Sequence, residues 1–110
     1  VIGPWSVIEN AEIGERSVIN ASQVYNSKVA ADVQVGPYAH LRDGAQLGRG
    51  VKIGKGAHVK NCIIMQDGVI EDGVYLENCI LDKNVFIKAG EKVIGTKYYP
   101  VCVDKGGKIL

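Results

Sequence analysis

Two histidines and two strong cations recur at one interval: His40 and His58 are eighteen residues apart, and so are Arg42 and Lys60. If eighteen residues close one turn of a repeating fold, each pair becomes a contact between neighbouring turns. Two cations brought to the spacing of adjacent strands, about 4.8 Å, can grip one phosphate through charge-assisted hydrogen bonds; the plain alternative for Arg42 and Lys60 is solvated charge on an outer face. A zinc ion held by three histidines needs one imidazole more than the sequence has, so no metal is expected. His40 and His58 read instead as stacked surface rings, each lowering the other's affinity for a proton.

Whether these pairs meet depends on the element that carries them. Aliphatic residues return roughly every six positions, at Ile2, Ile8, Ile13, Ile19, Val24, Val29, Val35, Leu41, Leu47, Ile53, Val59, Ile64, Ile70, Leu76, Leu81, Ile87 and Val93. Six residues advance an α-helix by a non-integral number of turns and would smear these heads around it. The pattern predicts three short strands per coil, about five coils, each head stacking in a narrow prism on the head one coil away. The fourth residue after a head supplies a second, smaller inward group, as at Ser17, Val33, Ala39, Ala45, Val51, Ala57, Gly68, Val74 and Val85.

On this register the coils run 13–28, 29–46, 47–63 and 64–80. Gly and Asn fall between strands, where bends favour positive φ. Asn10, Asn26, Asn61 and Asn78 occupy one corner and should stack as an amide ladder. Cys62 and Cys79 follow two of these asparagines and read as small buried thiols at that corner. With Cys102 they make an odd count without zinc-type spacing. Reduced thiols, and an opening without a leader pattern in a chain that starts in mid-repeat, lead to the expectation of a cytoplasmic protein.

The 110 residues, 46% of them hydrophobic, suit one solenoid domain with a thin core. Thirteen basic and twelve acidic residues interleave to a net charge of +1, which gives nucleic-acid binding no electrostatic support. No apolar run approaches a membrane span. Lys97-Tyr98-Tyr99-Pro100 breaks the hexads, so 96–110 reads as a C-terminal extension or cap that folds across the last coil. At the other end Pro4 removes a donor from an open edge, and Trp5 and Tyr25 offer an aromatic interface patch.

The octapeptide Val35-Gly36-Pro37-Tyr38-Ala39-His40-Leu41-Arg42, and residues 1–48 more broadly, resemble the C-terminal domain of the bacterial bifunctional N-acetylglucosamine-1-phosphate uridylyltransferase/glucosamine-1-phosphate acetyltransferase. Residues 49–110 are similar to the C-terminal domain of glucose-1-phosphate adenylyltransferase (ADP-glucose pyrophosphorylase). That likeness rests on Arg49-Gly50-Val51-Lys52-Ile53-Gly54, Asn61-Cys62-Ile63-Ile64-Met65-Gln66, Leu81-Asp82-Lys83-Asn84 and the ending Gly95-Thr96-Lys97-Tyr98-Tyr99-Pro100-Val101. The two likenesses meet near Leu47 to Gly50, which suggests an engineered chimera or designed solenoid. Both families carry left-handed parallel β-helices behind a nucleotidyltransferase domain. The expected handedness comes from this resemblance, since parallel crossovers are ordinarily right-handed.

The resemblance also implies roles. Arg42 matches the arginine of a His-Leu-Arg motif that contacts the sugar phosphate, and Lys60 falls where a second phosphate-contacting lysine is expected. Lys83 matches a lysine of an anionic effector site. The acetyltransferase general base is a histidine of the next coil, where this chain reads Ile70-Glu71-Asp72-Gly73-Val74-Tyr75. The acetyl-CoA-binding motifs and the Gly-rich nucleotide loop are not matched either. The reading that follows is a non-catalytic structural solenoid without cofactor that self-associates, as a trimer first, with small anions as possible ligands. Its alternative is a hexapeptide-repeat acyltransferase or sugar-phosphate-binding fragment with a site between subunits.

Overall fold

The computed structural model describes residues 6–96 and 98–104. Among them are seventeen strands of two or three residues, β1 to β17 in chain order, and every pairing is parallel. Successive strands go to successive sheets. The first sheet stacks β1 (Val7–Glu9), β4 (Gln23–Tyr25), β7 (His40–Arg42), β10 (His58–Lys60), β13 (Tyr75–Glu77) and β16 (Lys92–Ile94). The second stacks β2 (Glu12–Ile13), β5 (Lys28–Val29), β8 (Gln46–Leu47), β11 (Ile63–Ile64), β14 (Cys79–Leu81) and β17 (Val101–Val103). The third stacks β3 (Val18–Ile19), β6 (Gln34–Val35), β9 (Lys52–Ile53), β12 (Val69–Ile70) and β15 (Phe86–Ile87). The result is a left-handed parallel β-helix of about five coils, 37 Å in its longest extent.

Register follows the aliphatic heads. Val24 pairs with Leu41, Val59 with Leu41 and Leu76, Val35 with Ile53, and Ile64 with Leu47 and Leu81. Branched side chains suit such strands because their restricted χ1 fits a pleated surface. Each head turns inward and is buried, whereas Ile8 and Ile13 at the first coil are only partly covered. The smaller inward set is buried as well, Val33, Ala39, Ala45, Val51, Ala57 and Val74 all at 0% exposure. Ile2, Pro4 and Trp5 lie outside the described residues.

Corners keep their backbone groups paired from coil to coil, as a buried chain must. Asp32 N–H donates to the Glu15 carbonyl at 2.9 Å, Asp67 N–H to Arg49 at 2.9 Å and Asn84 N–H to Gln66 at 3.1 Å. The asparagine corner forms in two pieces: Asn10 Nδ2 donates to Asn26 Oδ1 at 2.7 Å, and Asn61 Nδ2 to Asn78 Oδ1 at 2.7 Å. All four asparagines have φ near +50°. Between the pieces the corner is Asp43-Gly44, on a six-residue side where the others have five, and the amide ladder is interrupted there.

Of the segment 96–110, residues 96 and 98–104 are described. Tyr98 and Tyr99 are each 83% exposed, so they stand out from the coil and do not fold across it. The chain then re-enters the second sheet as β17, whose Val103 is a further buried head opposite Leu81.

Candidate functional site

The outward positions of the first sheet hold the sequence-predicted cations and histidines. Inward Leu41 and Val59 anchor β7 and β10, and alternation along each strand sends the flanking residues to the outer surface. His40 pairs in register with His58, and Arg42 with Lys60. A shallow hollow of about 130 Å³ is lined by these four side chains with Val59 and Tyr75. Lys83 is not part of it. It is exposed at the corner between the second and third sheets, beside Asp82, whose Oδ1 accepts its backbone N–H at 2.7 Å.

The imidazoles of His40 and His58 stack face to face, with centroids 4.5 Å apart and planes 6° from parallel. Tyr75 extends the stack on the far side of His58, at 5.7 Å. His40 Nδ1 is buried without a hydrogen-bond partner. Partial burial, then the nearby His58, then Arg42 hold the His40 pKa below its ordinary value. A lowered folded-state pKa means that the unfolded chain takes up the proton first, so stability falls as pH drops from about 6.5 through the folded value. Melting temperature should decline over that interval, and His40→Gln should flatten the decline; an unchanged profile in the variant would assign it to other groups.

The cations are not free on this face. Lys60 Nζ lies 3.8 Å from Asp43 and 3.9 Å from Glu77, and Arg42 donates to Gln23 Oε1 at 3.4 Å. Eighteen-residue spacing located the cations but gave no sign of these acceptors, which arrive from a corner and from the strands on either side. Asp72, in the stretch where the resemblance places a histidine, instead accepts the Lys55 backbone N–H at 2.9 Å. The cluster is therefore a partly neutralised cationic shelf, open to solvent.

Two other clusters lie away from it. Arg16 and Arg49 flank Asp32 on consecutive coils, at 2.7 and 3.3 Å, and the hydrogen bond from Arg16 helps hold the Asp32 carboxyl below the usual range. This corner ladder was missed in the sequence because its members are sixteen and seventeen residues apart, off the eighteen-residue interval, and the carboxylate between the two arginines breaks the repeat of residue type. Cys62 and Cys79 are buried free thiols, as expected. The hydrogen bond that Cys62 shares with Cys79, together with burial, pushes its pKa well up, so it is kept protonated. Each donates to the carbonyl two residues before it, at 3.1 and 3.2 Å, as the Ser27 hydroxyl does at 2.7 Å.

Comparison with known proteins agrees with this architecture. The model of the GMPPB C-terminal domain matches residues 23–103. The chain belongs to that family. It is also 34% identical over 97% of its length to the bifunctional protein GlmU of Rippkaea orientalis, of which it covers 24%. The GlmU of Clostridioides difficile is 41% identical over 82% of the chain, which covers 20% of that protein. The chain thus spans about a quarter or less of the length of these relatives. A solved putative acetyltransferase of Bacillus cereus superposes with a TM-score of 0.76 at 16% identity, covering 99% of this chain and 72% of that one; this likeness concerns the fold. Among the described residues no helix is long and apolar enough to cross a membrane.

Proposed function

We propose that this chain is a non-catalytic assembly domain, the β-helix carried behind the nucleotidyltransferase domain of a sugar-nucleotide-forming enzyme, and that it works by self-association. The observation that supports this most is the state of the two motif cations: Lys60 already lies between Asp43 and Glu77, and Arg42 is held by Gln23. A phosphate entering here would compete with two carboxylates, and Asp72 is committed to a backbone amide. The family match crosses residues 47–50 without interruption, so this reading needs no engineered junction. It also gives Lys83 no effector role in the chain alone, because the resemblance places the other half of that site on a catalytic domain.

The second reading, a sugar-phosphate or acyl-transfer site completed between subunits, draws on the unpaired His40 Nδ1 beside Arg42 and Lys60. Thermal melting with glucosamine 1-phosphate and acetyl-CoA separates the two. The assembly reading expects no shift. A ligand present at a hundred times its dissociation constant would stabilise by about 2.7 kcal/mol, and a shift of that size would replace the first reading with the second.

A further inference from the structure

We propose that Cys62 and Cys79 form a redox site, in which a peroxide converts the two thiols into a disulfide that clamps adjacent coils together. Ile63 pairs with Ile80 and Ile64 with Leu81, and one step back along both strands sets Cys62 opposite Cys79. In-register neighbours of a parallel ladder lie about 4.8 Å apart, inside the span of about 4.4–6.8 Å between Cα atoms that a disulfide bridges. Both side chains turn into the corner, at 0% and 1% exposure, and the thiols share a hydrogen bond. Cys102 does not belong to the pair: it lies opposite Ile80, in the outward column of the same sheet. The site is internal to the coils and does not depend on whether copies of the chain associate.

The contact divides the chemistry between the two sulfurs. Sharing the hydrogen bond lowers the pKa of Cys79, against the effect of its burial, while Cys62 stays protonated. Cys79 therefore supplies the attacking thiolate. Its sulfur displaces hydroxide from hydrogen peroxide as the O–O bond breaks, which leaves Cys79 as a sulfenic acid. The Cys62 sulfur then attacks the Cys79 sulfur; the S–S bond forms as the S–O bond breaks, and the departing oxygen leaves as water with the Cys62 proton. Hydroxide recovers the proton that Cys79 gave up. In total two thiols lose two electrons, and one peroxide becomes two waters.

The fold makes this bond reversible. Parallel strands send both side chains the same way, so the Cβ atoms are as far apart as the Cα atoms, wider than the roughly 3.5–4.5 Å of a relaxed disulfide. Closing that gap draws the coils together at the asparagine corner and strains the bond, and strained disulfides are the readily reduced ones. Against the strain stands the cross-link itself, which joins residues seventeen apart and restricts the unfolded chain. Burial sets the gate. A peroxide, unlike a larger disulfide oxidant, needs only a local opening of one corner, and in a solenoid each coil is held chiefly by its neighbours.

The test treats the folded chain with hydrogen peroxide, blocks the remaining thiols and maps the peptides by mass, with Cys62→Ser and Cys102→Ser as variants. Serine suits this corner, since Ser27 occupies the equivalent place and its hydroxyl makes the same bond to the carbonyl two residues back; circular dichroism checks that both variants fold. The wild type and Cys102→Ser should yield a peptide pair joined through Cys62 and Cys79, lighter by two hydrogens than its separate parts and parted again by dithiothreitol. Oxidation should raise the melting temperature by about 5 °C or more, and dithiothreitol should return it. Neither change should occur in Cys62→Ser, which keeps the other oxidisable side chains such as Met65. No cross-link, one through Cys102, or one formed only in denaturant overturns the site. A bond between Cys62 and Cys79 that lowers the melting temperature overturns the clamp.

Discussion

Replacing Ile53 with aspartate should abolish the folded state at room temperature, with loss of the strand signal in circular dichroism and of any cooperative melting transition. Ile53 is 4% exposed, on the central strand of the third sheet, paired with Val35 before it and Ile70 after it. Truncating such a side chain already costs about 2–5 kcal/mol, and a carboxylate adds a charge with no partner inside an apolar prism, at several kcal/mol more even if it protonates. Domains of this size have about 5–15 kcal/mol to lose. In a solenoid the damage also separates the coils on either side, because each is stabilised chiefly by its neighbours. Ile53→Val should cost only about 0.5–1.5 kcal/mol. Wild-type-like melting of the aspartate variant would reject the inward register itself.

That register was legible because two independent periodicities agree on it. Heads at Ile13, Val29, Leu47, Ile64 and Leu81 are the residues that pair from coil to coil, and the smaller inward set falls four residues after most of them. His40 with His58 and Arg42 with Lys60 were legible for the same reason, since a coil there is eighteen residues long. Positive φ at Arg16, Ala21 and Tyr38 was not, because nothing in those residue types announces a left-handed corner. Val103 was missed as a head since the ten-residue step from Val93 carries the exposed Tyr98–Tyr99 turn. The acceptors of Lys60 were hidden because Asp43 and Glu77 are seventeen residues from it, one on a corner and one on the next strand.

Gly54→Ala should be the most destabilising single-methyl change in the chain's middle coils, while Gly56→Ala, two residues on, should be mild. A Cβ at Gly54 would lie 2.6 Å from the Asp72 nitrogen and the Glu71 carbonyl carbon and 2.5 Å from Asp72 Oδ1, whereas one at Gly56 meets nothing within 4 Å. Backbone at that distance has to move, and it follows directly on β12, which is paired with β9 and cannot move alone. Overpacking of this kind costs about 1–3 kcal/mol, and the shift also strains the Asp72 bond to the Lys55 amide. Gly56 has φ of +69°, so alanine there carries a left-handed penalty of about 1–2 kcal/mol, offset by about 0.4–1 kcal/mol from the less flexible unfolded chain. Denaturant unfolding of the two variants side by side measures the difference. Equal losses would mean that close approach of the coils at Gly54 contributes nothing and that backbone conformation alone places glycine at these corners.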